Sequence, residues 1–378
     1  MVPTADEETG DNHEAHHDWE SIMAETMRAA VYHGARDIRI ENVPVPVPGD
    51  GEVLISVRRN GICGTDATEW ATGPVMVPLT HPHPASGHQG PMIPGHEFVG
   101  EIVEVRGDLN LRAGQIVAAG AGVWCGACDR CAQGRTNICR RYYTLGLNAH
   151  GGLAEYVAAP AHTLRTVPEG LSLDHAGMAQ PLAVGLHAAR RAGVRDGDRV
   201  VVIGAGAIGT FVLAGLNHLY EADVTVIDMP GRKLARALEL GATRTLSARD
   251  DVVTAVLEAT AGVGVDVVIE ASGAPGQYAN ALAMVAVGGR VLAVGLPKEK
   301  PNVDMFALAL REITIDSTVA HVCRDDLRPA LDILATGPLG GLLLDDVIPL
   351  ERLVDSGLER LTSGSVDGKV LVDPSVPA

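Results

Sequence analysis

The stretch Val200-Val201-Val202-Ile203-Gly204-Ala205-Gly206-Ala207-Ile208-Gly209 decides the fold of this chain. A β-branched run leads into a Gly-x-Gly-x-x-Gly turn, and a helical segment to about Tyr220 follows. The next β-prone run, residues 223–227, leads to Asp228, which stands 19 residues after Gly209. In such a unit the first glycine permits the tight turn, the second lets a pyrophosphate approach the backbone, and the third allows close helix–strand packing. The pattern therefore predicts a dinucleotide-binding βαβ unit.

The acidic residue after the second strand indicates which dinucleotide binds. Asp228 would accept hydrogen bonds from the adenosine ribose hydroxyls, and its charge would repel a 2′-phosphate. We therefore predict NAD as the cofactor. Arg232 lies close enough to bind a phosphate, so NADP stays open as the alternative. The cofactor-binding residues predicted here are Gly204, Gly206, Ile208, Gly209, Asp228 and Arg232.

Strand and helix signals alternate only in the middle of the chain. From Leu182 to about residue 319 β-rich runs alternate with helical patterns, which predicts a parallel sheet. Residues 28–170 instead show short β-prone pieces joined by proline- and cysteine-rich loops. We predict an α/β fold with three parts: an acidic disordered tail (1–26), a mainly β domain (27–181 with 320–378), and a doubly wound nucleotide-binding domain (182–319).

Charge and composition exclude some classes of partner. The chain has 378 residues and a formal charge of −17, and residues 1–26 hold eight acidic residues but no lysine or arginine. Such an acidic protein is unsuited to nucleic acid or to an anionic membrane surface, because like charges repel. The N-terminus lacks the basic and continuous apolar segments of a secretory signal, so we predict a cytoplasmic protein.

Four of the six cysteines are bunched at metal-ligand spacing. Cys125-x2-Cys128-x2-Cys131-x7-Cys139 supplies four thiolates, which together close a tetrahedral site with no open coordination position. We predict a structural zinc ion that braces a loop with little core of its own. Disulfides are the alternative, and a reducing compartment disfavours them.

A second set of metal-ligand types lies earlier in the chain. Cys63 stands in Gly61-Ile62-Cys63-Gly64-Thr65-Asp66, and His96-Glu97 follow 33 residues later. Taken singly, each has an ordinary structural interpretation, the cysteine as a small apolar residue and the histidine as a hydrogen-bonded loop residue. Beside a nucleotide-binding unit they predict a catalytic zinc that holds a substrate oxygen and lowers its pKa. Thr65 would relay the alcohol proton toward the cofactor ribose, and Asp66 would orient a ligand imidazole.

These motifs together resemble the zinc-containing medium-chain dehydrogenase/reductase superfamily, and the match runs from about Met27 to Asp373. Thr72-Gly73-Pro74 and His81-Pro82-His83-Pro84 resemble the 2,3-butanediol dehydrogenase branch, with sorbitol and threonine dehydrogenases as close relatives. The resemblance implies a GroES-like catalytic domain, a Rossmann coenzyme domain and an active site between them. It also implies a homodimer or homotetramer joined through the coenzyme domains. Val294 and Leu296, in a Val-Gly-Leu segment typical of the family, join the predicted cofactor site.

Two positions depart from the branch pattern. Gln180 stands where relatives carry a glutamate that binds or neighbours the zinc, and a neutral amide is a poor zinc ligand. We therefore expect Glu97 to complete the shell of Cys63 and His96, with water or Gln180 as the alternatives. Thr68 stands where many relatives carry a histidine at the end of the proton relay, so the relay would leave through ribose and water.

The reaction predicted from these residues is reversible, NAD-linked oxidation of a secondary alcohol to a ketone. A vicinal diol or polyol is the leading substrate class, with 2,3-butanediol and acetoin as the first pair to consider. A sugar alcohol, an amino alcohol or a cyclitol stays open, as does a relative that binds NAD and zinc without turnover. His81, His83 and His88 form either a surface loop or a wall of the substrate pocket.

Overall fold

The computed structural model describes residues 26–297 and 299–376. The predicted disordered tail, residues 1–26, lies outside the described residues except for Thr26, which begins the first strand. The strands are β1 (Thr26–Gly34), β2 (Asp37–Pro44), β3 (Glu52–Gly61), β4 (Glu97–Val105), β5 (Ile116–Ala119), β6 (Gly122–Val123), β7 (Tyr143–Thr144), β8 (Tyr156–Pro160), β9 (Leu164–Thr166), β10 (Arg199–Ile203), β11 (Asp223–Asp228), β12 (Arg244–Ser247), β13 (Val265–Glu270), β14 (Val285–Ala293), β15 (Thr314–Ser317), β16 (Leu344–Pro349) and β17 (Lys369–Asp373).

The α-helices are α1 (Gly64–Thr72), α2 (Asp129–Ala132), α3 (Leu173–Ala176), α4 (Ala179–Arg191), α5 (Ala207–Leu219), α6 (Arg232–Glu239), α7 (Val252–Ala259), α8 (Gln277–Met284), α9 (Met305–Leu310), α10 (Cys323–Thr336), α11 (Leu339–Leu343) and α12 (Glu359–Thr362). Short 3-10 turns span Thr136–Ile138, Ala161–Thr163 and Leu350–Arg352, and a π-helical segment spans Leu353–Leu358. In the part of the chain that the structure describes, no helix is both long enough and apolar enough to span a bilayer. A cytoplasmic location stays a prediction.

Six parallel strands form one sheet, in the order β12-β11-β10-β13-β14-β15. Most of their valines and isoleucines are buried, as expected for a sheet covered on both faces, whereas Val287 and Ile315 are exposed. The next strand in the sequence, β11, pairs with one edge of β10, whereas β13 pairs with its other edge. Ligands bind at the carboxyl ends of strands at such a switch point, and Gly204 follows β10 there. The sheet thus sets the nucleotide turn where a cofactor would be expected.

The second sheet has seven strands, ordered β16-β17-β3-β4-β5-β9, with β8 also paired to β3. Strands β3 and β4 are antiparallel, and their register places Gly61 opposite Glu97. Strand β17 pairs with the other edge of β3, with Leu371 opposite Gly61. One end of this sheet therefore gathers residues from three distant parts of the sequence.

The predicted α/β class is confirmed, and the runs proposed as strands at Arg199–Ile203 and Val265–Glu270 are strands of the parallel sheet. The helix predicted over residues 350–361 is present, but it is not α-helical throughout. That segment is divided into 3-10, π-helical and α-helical pieces. Gly357 lies within the π-helical piece, and a Cβ there would stand 2.4 Å from Cδ1 of Ile62, so a larger residue would displace that side chain. The proposed domain boundary after Pro181 falls inside α4.

Candidate active site

The register of β3 and β4 brings the first metal-ligand set together. Gly61 pairs with Glu97, so Cys63, just beyond the end of β3, meets His96 and Glu97 at the start of β4. One ligand atom from each of Cys63, His96 and Glu97 lies within 4.8 Å of those of the other two. His96 and Glu97 are buried, and Cys63 is partly exposed. A thiolate, an imidazole and a carboxylate at this separation suit a zinc ion with an open position.

Asp66 organises the two nearest ligands. Its Oδ2 accepts a hydrogen bond from the backbone N–H of Cys63 at 2.9 Å, which fixes the start of α1. Its Oδ1 lies 3.5 Å from Nδ1 of His96. Burial lowers the pKa of His96, but the charges of Asp66 and Cys63 outweigh burial and raise that pKa well above its usual value. A metal ion binding here would therefore displace a proton, and acid should weaken its binding.

Glu97 has a partner that we did not predict. Its carboxylate forms a buried ion pair with the ammonium of Lys369, the first residue of β17. Lys369 also donates to the carbonyl oxygen of Ile62 at 2.9 Å, and only 4% of its surface is exposed. Cys63 and Glu97 would present two negative charges to a zinc ion. Lys369 compensates one of them, the carboxylate of Glu97. The only sequence signal was a lysine at the start of a strand whose next three residues are apolar.

The two threonines of α1 differ in their surroundings. Thr65 Oγ lies 3.8 Å from Sγ of Cys63, beside the ligand set and partly exposed, where a proton relay would need it. Thr68 is exposed, and its hydroxyl donates to the carbonyl oxygen of Gly64 at 2.9 Å. Thr68 is thus engaged with its own helix.

Gln180 occupies the first turn of α4 and is 9% exposed. Helix α4 packs against β4 and β5, and the start of β4 carries Glu97. Both Gln180 and Glu97 therefore stay proposals for the third zinc ligand, beside Cys63 and His96. The ion pair to Lys369 adds a competitor for the carboxylate of Glu97.

The four clustered cysteines fit a tetrahedral zinc ion. Their Sγ–Sγ distances are 3.6 Å (Cys128–Cys131), 3.8 Å (Cys128–Cys139) and 3.5 Å (Cys125–Cys139). Zn–S bonds of about 2.3 Å at tetrahedral angles place sulfurs about 3.8 Å apart, whereas a disulfide requires about 2.05 Å. All four thiols are free. The distances favour the metal over the disulfide alternative.

Backbone N–H groups assist this site. Those of Arg140 and Cys131 lower the pKa of the Cys128 thiol to about 6, and that of Ala127 lowers the pKa of Cys125. Burial raises the pKa of Cys131, so this thiol would give up its proton only as the metal binds.

The glycine-rich turn has the shape that a dinucleotide needs. Gly204 has φ +103°, which favours glycine. A Cβ on Gly209 would lie 1.8 Å from the carbonyl oxygen of Gly204, whereas a Cβ on Gly206 would meet nothing within 4 Å. The turn is therefore closely packed at Gly209 and open at Gly206, the N-cap residue of α5. A pyrophosphate fits that opening at the helix N-terminus.

The other predicted cofactor residues lie at the carboxyl ends of the strands. Asp228 ends β11, and its Oδ2 accepts from the N–H of Ala205 at 2.5 Å, which ties it to the turn. The side chain of Arg232, the first residue of α6, is 85% exposed and lies 3.9 Å from Asp367. Val294 and Leu296 follow β14, and Leu296 is 87% exposed. Ile208, in the first turn of α5, packs on the core.

The three loop histidines do not converge on one point. His83 Nδ1 accepts from the N–H groups of Ala85 and Ser86, whereas His88 stacks edge-on against His150 at 4.7 Å. His81 is exposed. The structure does not bring this loop into either metal-ligand group of the described residues.

Comparison with known proteins agrees with this geometry. One family profile, the alcohol dehydrogenase GroES-like domain, matches residues 49–169, and another, the zinc-binding dehydrogenase, matches residues 207–336. A (R,R)-butanediol dehydrogenase of Bacillus subtilis (strain 168) is 31% identical over 353 residues, covering 92% of this chain and 100% of that protein. The chain belongs to the zinc-type medium-chain dehydrogenase family.

Within the family the substrates of relatives differ. A sorbitol dehydrogenase of Bacillus subtilis (strain 168) is 33% identical over 358 residues, covering 93% of this chain and 99% of that protein. The crystal structure of 2R,3R-butanediol dehydrogenase from Bacillus subtilis superposes with a TM-score of 0.84 at 30% identity, covering 92% and 100% of the two chains. The predicted GroES-like and Rossmann parts and the zinc-dependent alcohol dehydrogenase class are confirmed at the level of the family.

Proposed function

We propose that this enzyme reversibly oxidises a secondary alcohol of a vicinal diol or polyol to a ketone, with NAD as hydride acceptor. The observation that carries the proposal is the convergence of Cys63, His96 and Glu97 within 4.8 Å, in a chain that also holds an open glycine-rich turn. The relatives named for butanediol and sorbitol support the substrate class.

Each residue of the site has a separate role in the proposed reaction. Cys63, His96 and Glu97 would hold a zinc ion, which as a Lewis acid lowers the pKa of the alcohol. Thr65 Oγ, beside Cys63, would accept the alcohol proton and pass it toward the cofactor ribose. Asp66 fixes Cys63 and faces the His96 imidazole. Lys369 keeps the Glu97 carboxylate buried and oriented.

The function is tested by assaying the zinc-loaded enzyme with NAD against butanediol stereoisomers, sorbitol, amino alcohols, a cyclitol and primary alcohols. We expect turnover of at least one vicinal diol or polyol, with kcat/KM well above that of the primary alcohols. Bound NAD and full zinc occupancy without turnover of any substrate would instead identify a binding protein of this family.

NAD is the proposed cofactor because Asp228 ends the strand that follows the glycine-rich turn. A zinc-binding dehydrogenase from Sinorhizobium meliloti 1021, 28% identical with a TM-score of 0.79 over 92% of this chain and 99% of that chain, is bound to NADP, so NADP stays the alternative. Asp228 is partly buried and would present a negative charge to a 2′-phosphate.

Asp228→Asn should lower the ratio of kcat/KM for NAD to that for NADP about tenfold or more. The amide removes a charge-assisted bond to the ribose and also removes the repulsion of the 2′-phosphate. Steady-state kinetics with both cofactors measure the ratio.

Asp223→Asn is the matched control, since Asp223 begins the same strand and pairs with Arg244 at 2.9 Å. Its cofactor ratio should equal that of the unmodified enzyme. An unchanged ratio in Asp228→Asn, or an initial preference for NADP, would contradict the assignment.

We also propose that two copies associate through the β15 edge of the parallel sheet. Strand β15 is the last of the described strands in that sheet, so its outer edge offers unpaired backbone groups. Large apolar side chains are exposed on α9 and β15: Met305 64%, Phe306 75%, Leu310 71% and Ile315 41%. An exposed strand edge flanked by apolar side chains suits a symmetric contact with a second copy.

Phe306→Glu should shift the enzyme from an oligomer to a smaller species at micromolar concentration, because it places a charge in the proposed apolar contact. Sedimentation or light scattering measures the mass. Leu238→Glu is the control, since Leu238 is 48% exposed on α6, away from β15. Equal masses for both variants would contradict this interface.

A further inference from the structure

Three buried polar side chains form a chain outside the active site. Asn137, His187 and Asp326 are 4%, 8% and 1% exposed. Asn137 Nδ2 lies 3.2 Å from Nε2 of His187, and Nδ1 of His187 lies 3.1 Å from Oδ2 of Asp326. These residues are separated by 50 and 139 positions in the sequence. None of them carries a role in the proposed reaction.

The hydrogen-bond directions in this chain are determined by its two ends. Asn137 Nδ2 also donates to the carbonyl oxygen of Val319 at 2.9 Å, which fixes the amide nitrogen on that side. The same group then donates to Nε2 of His187, so His187 carries its proton on Nδ1 and donates it to Asp326. Asp326 also accepts from the N–H of Val322 at 2.8 Å and from Nε of Arg190 at 3.1 Å. The buried carboxylate thus has three donors.

The chain of bonds begins in the four-cysteine loop. Asn137 lies in the 3-10 turn Thr136–Ile138, between Cys131 and Cys139. Its conformation depends on whatever holds Cys139 in place, because only Ile138 separates the two residues. The four cysteines would do so by holding a zinc ion.

The same hydrogen bonds reach the two segments that connect the seven-stranded sheet with the parallel sheet. His187 and Arg190 lie on α4, which leads from the seven-stranded sheet into the parallel sheet. Val319 and Val322 lie in the segment from β15 to α10, by which the chain leaves the parallel sheet. That segment begins at the carboxyl end of β15, the edge of the sheet where ligands bind.

We infer that Asn137 is a positioning residue. Through it, the metal-bound four-cysteine loop holds in place the two segments that connect the sheets, α4 and the connection from β15 to α10. Zinc fixes the turn at Asn137, and Asn137 fixes Val319 directly and α4 through His187. The inference depends on zinc binding by the four cysteines, but it does not depend on the identity of the alcohol.

The strength of this coupling follows from burial. A buried donor or acceptor that loses its partner is not compensated by water, so the remaining groups must move or stay unsatisfied. Asn137→Leu keeps the side-chain size but removes both donated bonds. His187 Nε2 and the Val319 carbonyl would then lack their donor, and both segments should open more often.

Hydrogen exchange followed by mass spectrometry tests the inference on the full, zinc-loaded enzyme. Asn137→Leu should raise exchange about tenfold in peptides covering 318–323 and 185–190, with the zinc content unchanged and β3 and β4 still protected. Gln133→Ala is the control, because Gln133 is exposed in the same loop and its side chain accepts a bond from Arg130. It should leave exchange in both segments unchanged.

Loss of the loop metal should act on the same segments. Cys131→Ser should raise exchange in 318–323 and 185–190, and adding Asn137→Leu to it should produce no further rise. Additive effects, an unchanged rate in Asn137→Leu, or a rise spread evenly over both sheets would overturn the inference. If Cys131→Ser does not fold, the comparison of Asn137→Leu with Gln133→Ala decides alone. Metal analysis of the unmodified enzyme separately tests whether the loop holds zinc.

Discussion

Lys369→Met is expected to lower the free energy of unfolding by about 3–5 kcal/mol, because it leaves the carboxylate of Glu97 buried without its cation. Glu97 is 1% exposed, and the ammonium of Lys369 is its counter-charge. Methionine has a stem of similar length, so the packing changes little while the charge is removed. Urea unfolding in the His96→Ala background, which is expected to lack the catalytic zinc, measures the loss, because a zinc ion bound to Glu97 would itself compensate the carboxylate.

Arg360→Met is the matched control. The side chain of Arg360 is 33% exposed and pairs with Asp345 and Asp346, and water screens such a pair. We expect a loss below about 1 kcal/mol. The combined variant Glu97→Gln with Lys369→Met should regain much of the stability that Lys369→Met loses, because no lone charge remains. A Lys369→Met enzyme as stable as the unmodified one would show that the ion pair is unimportant.

His96→Ala should remove the catalytic metal and lower kcat/KM about a thousandfold or more, since a Lewis acid supplies several kcal/mol of transition-state stabilisation. The zinc content should fall from two ions per chain to one, because the four-cysteine group is separate from the Cys63 group. Metal analysis and steady-state kinetics on the same sample measure both effects.

His218→Ala is the control for this variant, since His218 is exposed near the end of α5. It should keep both zinc ions and full activity. Retention of zinc and rate in His96→Ala would contradict the proposed site. Glu97→Ala tests whether Glu97 is itself a zinc ligand. Unchanged zinc content and kcat in that variant would exclude it.

Those parts of the fold that depend on local pattern could be predicted. The glycine-rich turn follows directly after its strand, and the four cysteines lie within 15 residues, from Cys125 to Cys139, so neither needed knowledge of distant contacts. Cys63 and His96 were predicted from their residue types and motifs, and the antiparallel pairing of β3 with β4, which they flank, brings them together. The 3-10 and π-helical form of residues 350–358 was not within reach, because the packing of Gly357 against Ile62 appears in no local pattern.

The partners of the buried charges lay beyond sequence reasoning. Lys369 stands 272 positions from Glu97, and it reaches that carboxylate only because β17 adds to the edge of β3. Asn137, His187 and Asp326 come from three separate elements. A single sequence does not show which polar residues will be buried together, since pairing of this kind depends on topology.

The late position of Lys369 in the sequence has a consequence for biosynthesis. A nascent chain makes Glu97 long before it makes the strand that carries the counter-charge, 272 residues later. Until β17 docks on β3, closing the sheet around Glu97 would bury a lone carboxylate, which is unfavourable. The nucleotide-binding half has all of its strands between Arg199 and Ser317, so it can fold during translation while the metal-binding half waits. Premature release of the chain should therefore yield a folded nucleotide-binding half attached to an incomplete metal-binding half.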